Sequence, residues 1–112
     1  MRVVLDTDVM VSAFRARHGA SRAWLRAALQ GEIILLLSVP LVIQYEEVLT
    51  RPEHLAAAGT DPTDEMVLEA AVNGRADQLL TFNTRDFAGA RRFAVHVSTP
   101  GPAWQNWKER QA

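Results

Sequence analysis

Val3, Val4 and Leu5 are an apolar run, and two carboxylates, Asp6 and Asp8, follow at once with Thr7 between them. A β-branched apolar run of this kind reads as a buried strand. Val9, Met10, Val11, Ala13 and Phe14 then have the spacing of a helix. A strand that ends in a carboxylate and turns straight into a helix points to an α/β sheet, where ligands bind beyond the carboxyl ends of the strands. Capping of that helix by Asp8 or Thr7 accounts for one polar residue. It leaves Asp6 without a structural reason, so Asp6 is the first candidate functional residue.

The rest of the chain continues in the same style. A first helix is expected over residues 9–17, with Gly19 as its stop, and a second is capped by Ser21, runs to Gln30 and ends at Gly31. Ile33 to Leu37 is a continuous apolar run, expected as a strand buried on both faces of a parallel sheet. Ser38 and Pro40 signal the cap and first turn of a third helix, Leu41 to Thr50, which Arg51-Pro52 stops. Residues 52–63 are expected as a loop with one helical turn at His54–Ala58. A fourth helix is expected from Asp64 to about Asn73, closed by Gly74. Gln78 to Phe82 and Phe93 to Val97 are the remaining strands, with a polar turn Asn83–Asp86 between them. Trp104 and Trp107 belong to a short closing helix and are expected on the core. The order predicts an α/β sandwich, helices flanking a mainly parallel central sheet, in one domain over residues 1–112.

Composition narrows the chemistry. The 112 residues contain no cysteine, which removes thiolate metal sites and cysteine nucleophiles. Eleven arginines accompany a single lysine, Lys108, near the end of the chain. Mechanisms that need a lysine in the body of the fold are disfavoured. That weighs against a haloacid-dehalogenase-type phosphatase, in which Asp6 would be the nucleophile and Asp8 the acid/base, and against receiver-type phosphoacceptors. No apolar run reaches membrane-spanning length and no leader pattern precedes the first strand, so a cytoplasmic location is expected. The net charge of −1 argues against a globally basic nucleic-acid binder, though Arg15, Arg17, Arg22 and Arg26 cluster on the first two helices. Of these, Arg15 and Arg17 are the RNA-contact candidates. His18, His54 and His96 have no metal-ligand spacing, and His96 is expected at the surface.

Three acids fall at related positions: Asp6 after the first strand, Asp64 at the start of the fourth helix, and Asp86 after the third strand. Asp64 shares a helical face with Val67, Leu68 and Ala71, which turns it toward the sheet. Converging carboxylates repel one another, and a divalent cation relieves that repulsion. Oxygen-only ligands favour Mg²⁺ or Mn²⁺, and such a site suits phosphoester hydrolysis. The third helix departs from this pattern. Its inward stripe, Leu41, Gln44, Tyr45 and Val48, carries an amide. Glu46 projects away and Glu47 lies on the flank. Gln44 is either a core amide satisfied by backbone groups or an altered metal-site position.

Val4-Leu-Asp-Thr-Asp-Val-Met-Val-Ser12, Ser38-Val-Pro-Leu-Val-Ile-Gln-Tyr-Glu-Glu-Val-Leu-Thr-Arg-Pro52, the stretch Asp61 to Ala71, and Thr81-Phe-Asn-Thr-Arg-Asp-Phe87 together resemble the PIN domain. The likeness is in particular to the toxin components of toxin–antitoxin systems (VapC-like). The resemblance implies a PIN-like three-layer sandwich and an Mg²⁺- or Mn²⁺-dependent endoribonuclease. It also implies RNA as substrate, a homodimer and a cognate antitoxin partner. On its pattern Asp6, Asp64 and Asp86 match the metal-binding acids and Asn83 a polar position of the last motif. Asp8 stands where Asn is usual. The family's second acid aligns with Gln44, so weaker metal binding is expected unless Glu47, one turn on, substitutes. The resemblance also implies a helical pair between the third helix and Asp64, in place of which this chain has only Arg51 to Thr63; exposed apolar surface is the expected consequence. The alternative is a catalytically inactive PIN-like protein that binds an antitoxin or RNA.

Overall fold

A computed structural model of the chain describes residues 1–51 and 62–111. The elements are β1 (Arg2–Leu5), α1 (Thr7–Arg15), α2 (Ala20–Leu29), β2 (Ile34–Leu35), α3 (Val39–Thr50), α4 (Pro62–Asn73), β3 (Gln78–Leu80), a 3₁₀ segment (Thr84–Phe93), β4 (His96–Ser98) and α5 (Pro100–Gln111). The sheet order is β2-β1-β3-β4, and every described strand pair is parallel. The fold is therefore the expected α/β sandwich with helices flanking a parallel sheet.

β1 lies between two partners, and its residues Val3, Val4 and Leu5 are at most 1% exposed. Right-handed crossovers place the β1-to-β2 connection on one face and the β2-to-β3 connection on the other. Element contacts agree. α2 meets α1 and α5, whereas α4 packs on β1 and β3 and meets α3 and the 3₁₀ segment. On the first side Trp24 is fully buried, its ring 5.1 Å from Trp104 and 5.4 Å from Trp107, and its indole N–H donates to the Pro100 carbonyl at 3.0 Å. That cluster keeps α5, at 12 residues longer than the short closing helix expected, against α2. The second side carries the buried row Val67, Ala70 and Ala71 of α4.

Several local expectations are corrected. Ser21 does not cap α2; the cap position is Gly19, at φ 123°, and Ser21 is buried. β2 is a two-residue edge strand with Ile34 half exposed, because only β1 pairs with it. Phe93 belongs to the 3₁₀ segment, whose end is marked by Ala94 in the left-handed region. The last strand accordingly starts at His96, which is exposed as expected. Ser38 does cap α3, its hydroxyl accepting from the Leu41 N–H at 3.2 Å. α4 starts at Pro62, earlier than expected, and the turn expected at His54–Ala58 lies outside the described residues.

α3 leaves apolar surface uncovered. Val39, Val42 and Ile43 are exposed on its outer side, with Leu37 beside them. Next to this face a cavity of about 580 Å³ opens between the β2–α3 connection and α4, lined by Leu36, Pro40, Met66 and Asn73 among others. None of the acids considered below lines it. Among the described residues no helix is long and apolar enough to cross a membrane.

Candidate metal centre

The carboxyl ends of β1 and β3 lie side by side, in register from Val3 opposite Gln78 to Leu5 opposite Leu80. The next residue on each strand, Asp6 and Thr81, leaves the sheet there. Asp6 is only 4% exposed and is itself the N-cap of α1, which the sequence reading assigned to its neighbours. Its Oδ1 accepts from the Thr7 N–H at 2.8 Å, and its Oδ2 accepts from the fully buried Thr81 hydroxyl at 2.7 Å. Thr81 in turn accepts from the Asn83 N–H at 3.0 Å, which starts the turn after β3. On the other flank the Tyr45 hydroxyl of α3 donates to the carbonyl of Leu5. Burial, followed by the negative charge of Asp6, raises the Tyr45 phenol above its ordinary range, so it stays a neutral donor.

Asp8 joins this arrangement. Its Oδ2 accepts from the Phe82 N–H at 3.1 Å and from the Asn83 side-chain amide at 3.2 Å. Its Oδ1 is buried and has no hydrogen-bond partner among the described residues. Burial, then the charge of Asp6 and, after opposing hydrogen bonds, that of Asp64, push the Asp8 carboxyl from 3.8 up to about 7. A buried acceptor without a donor is costly, and three acids that repel one another favour a cation among them. The missed signal was the Asp6-Thr7-Asp8 spacing itself. Asp6 takes the cap, and Asp8 follows in the first turn of the same helix.

The other expected site residues divide. Asp64 is half-buried at the start of α4 and is close enough to Asp8 to affect its charge. Asn83 reaches Asp8 directly. Asp86 is exposed, and its N–H bonds to the Asn83 carbonyl at 3.0 Å. Gln44 is half-buried on α3, and its amide is 3.5 Å from Glu47 Oε2, a contact to a side chain and not to the backbone groups expected of a core amide. Glu46 is exposed, as its helical position requires. Arg15 and Arg17 are exposed at the end of α1.

Donor chemistry at the centre fits a hard divalent cation, because it is all oxygen and includes the orphaned Asp8 Oδ1. Among the described residues no three acids or histidines are grouped closely enough to enclose an ion by themselves. Mg²⁺ commonly keeps several waters and takes only one or two carboxylates from a protein.

A family model for the PIN domain matches residues 2–60 of the chain. The protein belongs to the PIN domain family. The matched stretch includes Asp6, Asp8, Gln44 and Glu47, while Asp64, Asn83 and Asp86 lie beyond it. No curated protein and no solved structure matches the chain. PIN domains are nuclease-type folds that generally use divalent metals, and the parallel sheet seen here is consistent with that architecture. Membership in this family sets aside the phosphatase reading of Asp6.

Proposed function

We propose that the protein is a Mg²⁺- or Mn²⁺-dependent endoribonuclease of the PIN toxin type, weakened by Gln44. The observation that carries this reading is the unpartnered Asp8 Oδ1, buried beside Asp6 and Asp64 at the carboxyl edge of a parallel sheet. Asp8, with Asp6 beside it, would hold the ion, Asp64 would add its charge from the start of α4, and Asp86 is exposed at the rim. When bound, the metal supplies an activated water and neutralises charge on the phosphate. The protein's own part is to hold the acids. Thr7 and Thr81 orient Asp6, Phe82 and Asn83 orient Asp8, and Tyr45 fixes the strand end from which Asp6 projects. Arg15 and Arg17 supply positive charge for RNA phosphates. Cytoplasmic location, control by an antitoxin and a homodimer belong to the same proposal. The uncovered apolar face of α3 supports a protein partner.

One observation favours the inactive alternative: an amide, Gln44, stands against Glu47 where the resemblance has an acid. Cleavage of single-stranded RNA with Mn²⁺ separates the two readings. The wild type is expected to cut slowly, Gln44→Glu about tenfold faster, and Asp6→Asn not at all. Cleavage absent in both the wild type and Gln44→Glu overturns the nuclease reading.

A further inference from the structure

The side chain of Phe82 is unaccounted for by the acid centre, although its N–H belongs to it. The strand pattern predicts Phe82 as the last residue of β3, yet β3 ends at Leu80 and Phe82 is 50% exposed. Its backbone is fixed: its N–H is held by Asp8 Oδ2 at 3.1 Å, and its neighbours Thr81 and Asn83 bond to each other. An aromatic ring is thus held at the surface immediately beside the acids.

The ring does not face open solvent alone. It forms one wall of a cleft of about 260 Å³, whose other walls include Ser12, Ala16, His18, Arg22 and Gly101. Ser12 and Ala16 line it, one and two turns beyond Asp8, so the cleft follows the far part of one side of α1 for about 6 Å. The charge at the two ends of that helix differs. The acids lie at the start of α1, while His18 and the exposed Arg17 follow its end. Arg22 spends one guanidinium N–H on the Ala13 carbonyl at 2.9 Å, and a guanidinium has five. The cleft thus has an aromatic side chain in its wall, from a residue bonded to Asp8, and donors for a phosphate in Arg22 and His18.

We infer that this cleft is a nucleotide subsite of the proposed nuclease, in which a base of single-stranded RNA stacks on Phe82 while the next phosphate is met by Arg22 and His18. This deepens the ribonuclease reading and rests on it. Stacking on an aromatic side chain is how single strands are commonly gripped without sequence preference. A duplex cannot present its bases to such a wall, which selects unpaired RNA.

The test measures binding without cleavage, in EDTA, by anisotropy of a labelled eight-nucleotide single-stranded RNA and of the same oligomer with abasic riboses. Wild type is expected to bind the base-bearing RNA at least about fivefold more tightly than the abasic one. Phe82→Ala should bring the two affinities together, and Phe82→Tyr should restore the difference. Circular dichroism establishes that each variant is folded. Equal affinities for both RNAs in wild type, or no change in Phe82→Ala, overturns the subsite, as does a wild type that binds neither RNA. If the base preference is present but Mn²⁺ produces no cleavage, the nuclease reading fails and the subsite stands.

Discussion

The Thr81 hydroxyl donates to Asp6 Oδ2 across 75 residues of sequence, at 2.7 Å and with both side chains buried. This bond joins the ends of β1 and β3 and does two things. It gives Asp6 Oδ2 a buried hydroxyl donor, and it leaves Oδ1 to the Thr7 N–H at the start of α1, where the helix dipole favours negative charge.

Replacing Thr81 with Val keeps the shape and removes that donor. It also leaves the Asn83 N–H without its acceptor. The expected cost is about 1.5–3 kcal/mol, because the bond is made to a charged group. Urea unfolding of Thr81→Val beside Thr81→Ser checks it. The serine variant keeps the hydroxyl and should recover most of the loss; equal losses in both would assign the effect to packing.

Tyr45 is the only tyrosine in the chain, which makes its ionisation visible on its own. Its phenol is raised by burial and by the charge of Asp6. The neutral form is therefore favoured in the folded state. The stability this contributes is whole below pH 10, the ordinary value, and is lost as pH rises through the folded value. Tyrosinate absorbance is expected only when alkali unfolds the protein. Tyr45→Phe should cost about 0.5–1.5 kcal/mol, since the ring still fills its place and only the bond to Leu5 is removed. Absorbance that develops near pH 10 in the folded protein would contradict this.

The sheet and the helix order were readable because they depend on apolar periodicity, and the runs around Val4, Leu79 and Val67 are unambiguous. Pairing decided what periodicity could not. Ile33 to Leu37 looks like a strand buried on both faces, but a strand with one neighbour at the sheet edge leaves Ile34 in solvent. In the centre, Asp6 and Asp64 stood out as carboxylates at strand and helix ends. Asp8 did not, because its importance lies in one orphaned oxygen and in Phe82 and Asn83, which only the register of β1 with β3 brings near it. Gln44 stood out as an amide in an inward stripe, but its contact with Glu47 depends on rotamers that spacing does not specify.

The end of α4 gives a pair of expectations with opposite signs. Gly74 reads as a helix stop, but the left-handed residue is Arg75, at φ 54°. Gly74 is needed for space: a Cβ there would lie 2.7 Å from Leu36 Cδ1 and 2.9 Å from the Ala70 carbonyl oxygen. The backbone oxygen cannot move aside without disturbing the helix. Gly74→Ala should therefore destabilise by about 1–3 kcal/mol. Arg75→Gly relieves roughly 1 kcal/mol of backbone strain, partly offset by the greater freedom of glycine in the unfolded chain. Thermal unfolding should show a lower midpoint for the first and an equal or higher one for the second.

Asp8 gives the sharpest dependence on pH. Its carboxyl is raised from 3.8 to about 7, first by burial and then by Asp6. The folded state thus binds this proton more tightly than the unfolded chain. Its contribution to stability is complete below 3.8 and is lost as pH rises to about 7. Asp8→Asn removes the charge and keeps an oxygen for Phe82 and Asn83. Above pH 7 the metal-free variant should be more stable than wild type by on the order of 1 kcal/mol, a modest figure because the side chain is partly solvated. Below pH 4 the two should converge. Mn²⁺ should reverse the order at high pH, since binding to the folded state alone raises its stability and Asp8 supplies the unpartnered oxygen. Thermal unfolding across pH, with and without millimolar Mn²⁺, checks both parts. An equal Mn²⁺ response in wild type and Asp8→Asn would remove Asp8 from the metal centre, even if the pH dependence is as expected.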